Sequence, residues 1–303
     1  MTLFLPFGLT HAQSSTEQTT LDFSRTVAIT FDDLPVVRGR NFAREQRITE
    51  DLLDQIATYD VPTTGFVIGA ALASRNRAAL VKRWLEAGHD LGNHTYSHLS
   101  LRDTPLADYT DEVLRTDTLL TRLLGKWDKE PRYFRHPYLH TGADSETKLA
   151  FEQFLAGQGY VIAPVTIDND EYIYAYAYDI ATSAGDAALA GRIGEDYVRY
   201  MEKIFMFYEQ FSVDFLGREP AQILLLHANA LNADYFGELA QMLDARGYQF
   251  ISLDEALEDA VYDMPDEYIG RRGISWLARW SVTQGHEMPE QPQVPMWVQE
   301  IIN

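Results

Sequence analysis

Two neighbouring acids and two histidines have the residue types and the spacing of a hydrolytic metal site. Asp32 and Asp33 follow an apolar run at residues 26–31, which is typical of a buried strand. His94 and His98 stand four positions apart after a second strand-like segment, so their rings can converge on one ion if the chain turns helically there. With Asp33 as the third ligand, this set predicts a catalytic metal with open positions rather than a structural ion.

Within the acid pair we expect one ligand and one base. Neighbouring side chains diverge, so Asp33 can face the metal while Asp32 stands beside the metal-bound water as general base. Zn²⁺ is the first candidate, with Co²⁺, Ni²⁺ or Mn²⁺ as alternatives. Each pattern also has a purely structural interpretation. An Asp-Asp pair before Pro35 can form a turn or a helix cap, and isolated histidines are often surface groups.

Arg135 and His227 come directly after two other strand-like segments. Arg135 carries a permanent charge that can brace a carboxylate, and Asp32 is the partner we predict; a surface ion pair is the alternative. His227 closes the apolar run at residues 223–226, where a general acid is needed, although a core histidine bonded to backbone would fit the same pattern.

These residues must be positioned by an alternation of strands and helices. Strands are predicted at residues 26–31, 63–68, 90–93, 133–134, 160–167, 223–226 and 248–253, and helices at residues 41–59, 77–87, 106–124, 144–156, 186–211 and 233–245. Such alternation predicts an α/β fold with parallel strands and outer helices, as a barrel or an open sheet. In both folds the site lies at the carboxyl ends of the strands, where the predicted site residues fall.

Composition limits the partners. The 303 residues and 46% hydrophobic content allow a large core, and the net charge of −20 argues against nucleic acid or an anionic membrane and favours a neutral substrate. Without cysteine, any metal must be held by His, Asp or Glu. An apolar run at residues 3–9, too short to span a bilayer, resembles an atypical export signal and predicts a secreted or periplasmic protein; an ordinary disordered start is the alternative.

Together, five segments resemble in order the motifs of polysaccharide deacetylases of the NodB homology type, carbohydrate esterase family 4. They are TFDDLP at residues 30–35, HTYSH at 94–98, RHPY at 135–138, DNDEY at 168–172 and LLH at 225–227. The resemblance spans residues 26–254. It implies a single-domain, distorted (β/α) barrel of about seven parallel strands with a C-terminal extension. The implied activity is metal-dependent removal of N-acetyl, or O-acetyl, groups from a glycan such as peptidoglycan or a chitin-like polymer.

The resemblance also implies a role for each site residue. Asp33, His94 and His98 would hold the metal, Asp32 would be the base braced by Arg135, and His227 would protonate the leaving amine. The backbone N–H of Tyr138 would help to stabilise the oxyanion, and Asp168, or else Glu171, would orient His227. The pocket for the acetyl group and sugar would be lined by Leu225, Pro137 and Tyr172.

The chain departs from the family pattern at two motifs. Leu34 stands where glycine is usual and could reshape the mouth of the site, and Tyr172 replaces the usual tryptophan. The alternating tyrosines at residues 172–178 predict either a sugar-stacking wall or a strand with one aromatic face on the core. We divide the chain into a leader (1–25), a barrel (26–262) and an extension packed on the barrel (263–303). Its Trp276, Trp280 and Trp297 would be packing anchors or glycan contacts.

Other functions fit parts of the pattern. A noncatalytic or altered-specificity glycan-binding barrel would keep the groove, and a metal-dependent amidase would act on a small non-glycan substrate. A phosphatase with Asp32 as nucleophile would need a phosphate-binding lysine or glycine-rich loop near the acids, which the sequence lacks there. The sequence does not indicate an oligomeric state.

Overall fold

A computed structural model describes residues 25–288 and 290–303, so the predicted leader, including its signal-like run, lies outside the described residues apart from Arg25. The described chain contains seven strands, all paired in parallel. They are β1 (Arg25–Leu34), β2 (Thr63–Val67), β3 (Asp90–Asn93), β4 (Tyr133–Phe134), β5 (Val161–Ile162), β6 (Gln222–His227) and β7 (Tyr248–Ile251). None of the described helices is long and apolar enough to cross a membrane.

The sheet is a curled half-barrel centred on β1, which confirms the predicted barrel of about seven parallel strands. Its strand order is β5-β4-β3-β2-β1-β6, and β7 also pairs with β1. A single parallel bridge pairs Ile167, in the segment after β5, with Leu224 of β6. This bridge brings the β5 edge of the sheet toward the β6 edge. The register of β1 with β6 sets Asp32 opposite His227, which brings two predicted catalytic residues to one end of the barrel.

Helices surround the sheet. They are α1 (Phe42–Thr58), α2 (Gly69–Leu72), α3 (Arg75–Glu86), α4 (Leu106–Leu124), α5 (Ser145–Gly157), α6 (Glu171–Ser183), α7 (Ala187–Leu216), α8 (Ala230–Ala245), α9 (Leu253–Leu257), α10 (Trp276–Thr283) and α11 (Met296–Ile302). Their starts follow local chemistry: Asn41, Asp144, Asp186 and Asn229 each accept a hydrogen bond from a backbone N–H of the first turn.

Two predicted elements are wrong. The strand expected at residues 160–167 is only Val161–Ile162, because Pro164 cannot donate to a ladder and the chain then crosses to β6. The strand considered at residues 172–178 is part of α6. The tyrosines lie on different faces of this helix: Tyr174 and Tyr178 are buried, whereas Tyr172 is exposed at the site.

The C-terminal segment packs against the barrel. Trp276 and Trp280 are buried in the main core, and Trp297 is partly buried beneath the guanidinium of Arg192, which lies 3.9 Å from its ring centroid. None of the three lines the cavities that contain the site residues. Their contacts are those of the predicted packing anchors.

Candidate active site

Asp33, His94 and His98 converge at the carboxyl ends of β1 and β3. The nearest oxygen of Asp33, Oδ1, lies 3.4 Å from Nε2 of His94 and 3.3 Å from Nε2 of His98. Each residue offers one donor atom, and all three donor atoms lie within 4.8 Å of one another. Such a group is compact enough for a single ion to contact every donor.

The histidines do not converge through a helical turn, so that expectation is wrong. Thr95 and His98 have positive φ angles of 63° and 59°. Side chains hold this turn: the Thr95 N–H donates to Asn93 Oδ1 over 2.9 Å, and the His98 N–H donates to Thr95 Oγ1 over 3.0 Å. The Asn93 side chain at the end of β3 therefore organises the turn that carries both histidines.

The donor set fits a divalent cation. Asp33 Oδ1 is buried and has no hydrogen-bond partner among the described residues, as expected of an atom reserved for an ion. His94 uses Nδ1 on the carbonyl of Arg135, 2.8 Å away, which leaves Nε2 as the free acceptor. Burial and the neighbouring His94 lower the pKa of His98 to about 4, so His98 is neutral at pH 7 and can bind a metal.

The carboxyl group of Asp33 is ionised despite its burial. Desolvation would raise its pKa, but the neighbouring imidazoles of His94, His227 and His98 outweigh this and hold the pKa of Asp33 well below its usual value. Two imidazoles and one carboxylate are the ligand set of an open catalytic site.

Asp32 is buried beside Arg135, the partner predicted for it. Arg135 Nη1 lies 3.3 Å from Oδ1 and 3.4 Å from Oδ2 of Asp32. The guanidinium is itself fully buried and fixed, since Nη2 donates to Thr30 Oγ1 over 3.0 Å and Nε donates to the carbonyl of Ala163 over 2.9 Å. A permanent positive charge is thus held beside the carboxyl group of Asp32.

On the opposite side of the cavity, Glu171 rather than Asp168 contacts His227. His227 Nδ1 lies 2.9 Å from Glu171 Oε2. The other oxygen of Glu171 accepts from Asn229 Nδ2 over 2.5 Å and from Asn232 Nδ2 over 2.7 Å. The prediction that Asp168 orients His227 is therefore wrong, because the carboxylate that reaches the ring is the first residue of α6.

The carboxylate of Glu171 controls the protonation of His227. Burial by itself would lower the pKa of the ring, but the hydrogen bond and charge of Glu171, together with Asp33 and Asp32, raise the pKa of His227 to about 9. A histidine with this pKa is protonated at pH 7 and can donate a proton.

Asp168 lines the same cavity without touching His227. Its Oδ1 accepts the N–H of Asn169 over 3.0 Å. Burial and the nearby charge of Asp170 raise the pKa of Asp168 to about 7.

The site opens into a cavity of about 540 Å³ that holds both acids and all three predicted site histidines. Its other lining residues are Tyr138, Leu139, His140, Asp168, Asn169, Asp170, Tyr172, Leu225, Arg271, Arg272 and Gly273. Leu225 and Tyr172 therefore lie where a substrate pocket was predicted. Pro137 is buried and does not line this cavity, so that prediction is wrong. A second cavity of about 410 Å³ shares Asp33, His98, Tyr138, Tyr172 and His227 with the first.

Leu34 does not reshape the mouth of the site. Its side chain is fully buried and points into the core, and it occupies the space beside Gly65, where an added Cβ would lie 2.2 Å from Leu34 Cδ1. Gly65 of β2 has no side chain and therefore leaves room for Leu34.

Sequence reasoning missed residues on both sides of the cavity. Asn229 could have been found, since it precedes a helical pattern as an N-cap residue, and Asn232 lies one turn further on. Arg271, Arg272 and Gly273 carry no motif and reach the cavity only through the packing of the C-terminal segment.

Comparisons with known proteins find similarity to polysaccharide deacetylases in the first half of the chain. Residues 22–153 match the family model described as polysaccharide deacetylase. The chain is 35% identical over 148 residues to a chitin deacetylase of Pestalotiopsis sp, covering 48% of this chain and 43% of that protein. It is 32% identical over 146 residues to a peptidoglycan-N-acetylglucosamine deacetylase of Bacillus cereus, covering 48% and 46%. The chain thus spans about half the length of these curated relatives.

Solved structures share the fold. A peptidoglycan N-acetylglucosamine deacetylase superimposes with a TM-score of 0.51 at 21% identity, covering 77% of this chain and 89% of that chain. A pseudoenzyme of carbohydrate esterase family 4 from Bacillus anthracis superimposes equally well, with a TM-score of 0.51 at 15% identity, covering 77% and 66%. The fold therefore occurs in proteins described as enzymes and in one described as a pseudoenzyme, so it does not by itself decide activity.

The matched residues include both acids of β1, both histidines after β3 and the arginine after β4. The motif-based resemblance is confirmed over residues 22–153, which match the polysaccharide deacetylase family model.

Proposed function

We propose that this protein is a metal-dependent deacetylase that removes acetyl groups from an N-acetylated polysaccharide. One observation carries the proposal: Asp33, His94 and His98 form a compact donor group with an unpartnered buried oxygen, in the cavity that also holds the braced acid Asp32 and the protonated His227. A binding protein without activity has no need of a base and an acid on opposite sides of an ion site.

Asp33, His94 and His98 would hold the ion, with Zn²⁺ as the first candidate. When bound, such an ion acidifies water and polarises the acetyl carbonyl oxygen. Asp32 is the base that removes a proton from the attacking water, and the buried guanidinium of Arg135 holds it in position for this role.

His227 is the acid that protonates the leaving sugar amine. The ring is aimed by Glu171 and by the end of β6, and its raised pKa keeps the proton on the ring until transfer. The backbone N–H of Tyr138, which belongs to a turn lining the cavity, stabilises the developing oxyanion, and Leu225 contacts the acetyl methyl group.

The relatives named for chitin and peptidoglycan support a glycan built from N-acetylglucosamine as the substrate, with O-acetyl groups as an alternative target. The predicted export to the periplasm or the exterior agrees with such a substrate.

The test is acetate release from chitin oligomers, peptidoglycan and acetyl-xylan with added Zn²⁺, Co²⁺, Ni²⁺ or Mn²⁺. We expect release from at least one polymer, dependence on the metal, and a loss of about 10²- to 10⁴-fold in Asp32→Asn. Gly191→Ala is a matched control, because this helical glycine has open space around it and lies away from the cavity. Unchanged acetate release in Asp32→Asn and His94→Ala would show that the assignment is wrong. If the protein binds glycans and releases no acetate, the noncatalytic alternative is correct.

A further inference from the structure

Three arginines that line the cavities make no ion pair with a carboxylate of the described chain, unlike most arginines of this protein. Of 20 arginines, 14 make an ion pair with a carboxylate. Among described residues, the other six make none, although the chain has 45 acids. Three of these six, Arg38, Arg271 and Arg272, line the two cavities that meet at the ion site.

Arg38 already has a partner, since its guanidinium carbon lies 3.6 Å from the ring centroid of Tyr176. Arg271 and Arg272 have neither an ion pair nor an aromatic ring beneath them among the described residues. Asp168 and Asp170 line the same cavity, but neither forms an ion pair with the two arginines. Within the described chain, both arginines line this cavity without an ion pair and are therefore available to a ligand.

The backbone that carries this arginine pair is firmly held against the site. A Cβ added at Gly273 would lie 1.8 Å from the carbonyl oxygen of Tyr138, so only glycine permits this approach. The buried Arg279 donates to Thr141 Oγ1 over 2.9 Å and also to the carbonyl of Leu139, in the same turn as Tyr138. The backbone next to the arginine pair is thus positioned by the fold, and both arginine side chains are exposed.

A neutral sugar would leave this pair of charges unused. An arginine guanidinium group matches a carboxylate, which accepts its paired N–H donors. A continuous polyanion is disfavoured by the net charge of −20, whereas carboxylates spaced along a glycan meet the arginines one at a time. The global charge that suggests a neutral substrate therefore does not describe this part of the cavity.

Resting on the proposed function, we infer that Arg271 and Arg272 form a subsite for a carboxylate on the sugar next to the one that is deacetylated. The preferred substrate class is then a glycan of N-acetylglucosamine that also bears carboxylates, in preference to a neutral homopolymer.

The test compares two peptide-free oligomers, one with lactyl carboxylates on alternate sugars and the same oligomer with these groups converted to neutral amides. We expect kcat/KM to be about tenfold higher for the acidic oligomer, as for a charge-assisted hydrogen-bonded contact. In the double variant Arg271→Gln/Arg272→Gln, this preference should disappear because KM for the acidic oligomer rises. The kcat on the acidic oligomer and the kcat/KM on the neutral oligomer should change little.

The matched control is Arg75→Gln/Arg122→Gln, which removes the same charge from two unpaired arginines that line neither cavity. It should retain the preference. Equal rates on both oligomers for the unchanged protein, or an equal loss on both in the Arg271/Arg272 variant, would overturn the inference.

A binding measurement separates this inference from the proposed function. Calorimetry with Asp32→Asn should give tighter binding of the acidic oligomer, and adding Arg271→Gln/Arg272→Gln should abolish the difference. If no acetate is released from either oligomer but this binding difference is found, the deacetylase proposal fails and the subsite stands. If binding is equal for both oligomers, the subsite fails.

Discussion

The two sides of the cavity are built in different ways. The metal side, with Asp32, Asp33, the two histidines and Arg135, lies entirely within the family-matched residues 22–153 and is made by short turns at strand ends. The acid side, with His227 and Glu171, lies beyond the matched residues and depends on side chains from α6 and α8 that meet in space. Chemistry that is encoded in local turns is thus easier to recognise than chemistry assembled by packing.

The largest expected effect is on the metal side. His98→Ala removes a donor from the compact group, so bound metal and acetate release should both fall, the latter by about 10³-fold. Metal analysis of the purified variant together with acetate assays checks this. Chelation of the unchanged protein should give the same loss and be reversed by added metal; activity that survives chelation would contradict the metal assignment.

On the acid side, Glu171→Gln and Asp168→Asn each replace a carboxylate by an amide, and together they test which carboxylate supports His227. Glu171→Gln removes the charge that holds His227 and should lower kcat by about 10²-fold. Asp168→Asn should have a much smaller effect, because this carboxylate does not contact the ring. A larger loss in Asp168→Asn than in Glu171→Gln would restore the sequence-based assignment of Asp168.

The pH dependence sharpens the same comparison. A general acid works only while it is protonated, so activity should persist at neutral pH and fall as the pH rises through about 9, the raised pKa of His227. Since Glu171 is the main cause of the increase, Glu171→Gln should move this falling limb to lower pH. A limb that does not move between the two proteins would show that another group titrates there.

Gly273 links the C-terminal segment to the metal side. Gly273→Ala must displace the backbone of Tyr138, whose carbonyl oxygen is a rigid neighbour, so we expect about tenfold lower kcat/KM and a destabilisation of about 1–3 kcal/mol. Gly191→Ala, in the open face of α7, should instead leave activity unchanged and increase stability slightly. Thermal unfolding and acetate assays on both variants make the comparison.

The smallest effect on activity is expected at Leu34. Leu34→Ala leaves a cavity beside Gly65 and should destabilise the fold by about 2–5 kcal/mol, with a change in KM of less than about threefold. Urea unfolding and steady-state kinetics would measure the two quantities. A large change in KM with little loss of stability would indicate that Leu34 shapes the site after all.

The tyrosines of α6 show why one prediction failed. Residues two positions apart lie on the same side of a strand but about 200° apart on a helix, while residues four apart share a side in both. A strand would therefore place all four tyrosines on one face, whereas the helix separates the buried Tyr174 and Tyr178 from the exposed Tyr172. The packing of α6 against α7 and α8 decides for the helix, since Tyr174 and Tyr178 donate to Asp196 and Asp234.

The sequence by itself determined the parallel α/β architecture, the position of the site at the carboxyl ends of the strands, and the residues of the metal side. It could do so because apolar periodicity and the acids, histidines and arginine that follow each strand are local properties of the chain. The tertiary structure alone decided that Glu171 rather than Asp168 meets His227, that Gly65 accommodates Leu34, and that Arg271 and Arg272 reach the cavity. Each of these depends on contacts between distant parts of the chain, which are set by packing and have no signal in the spacing of residues.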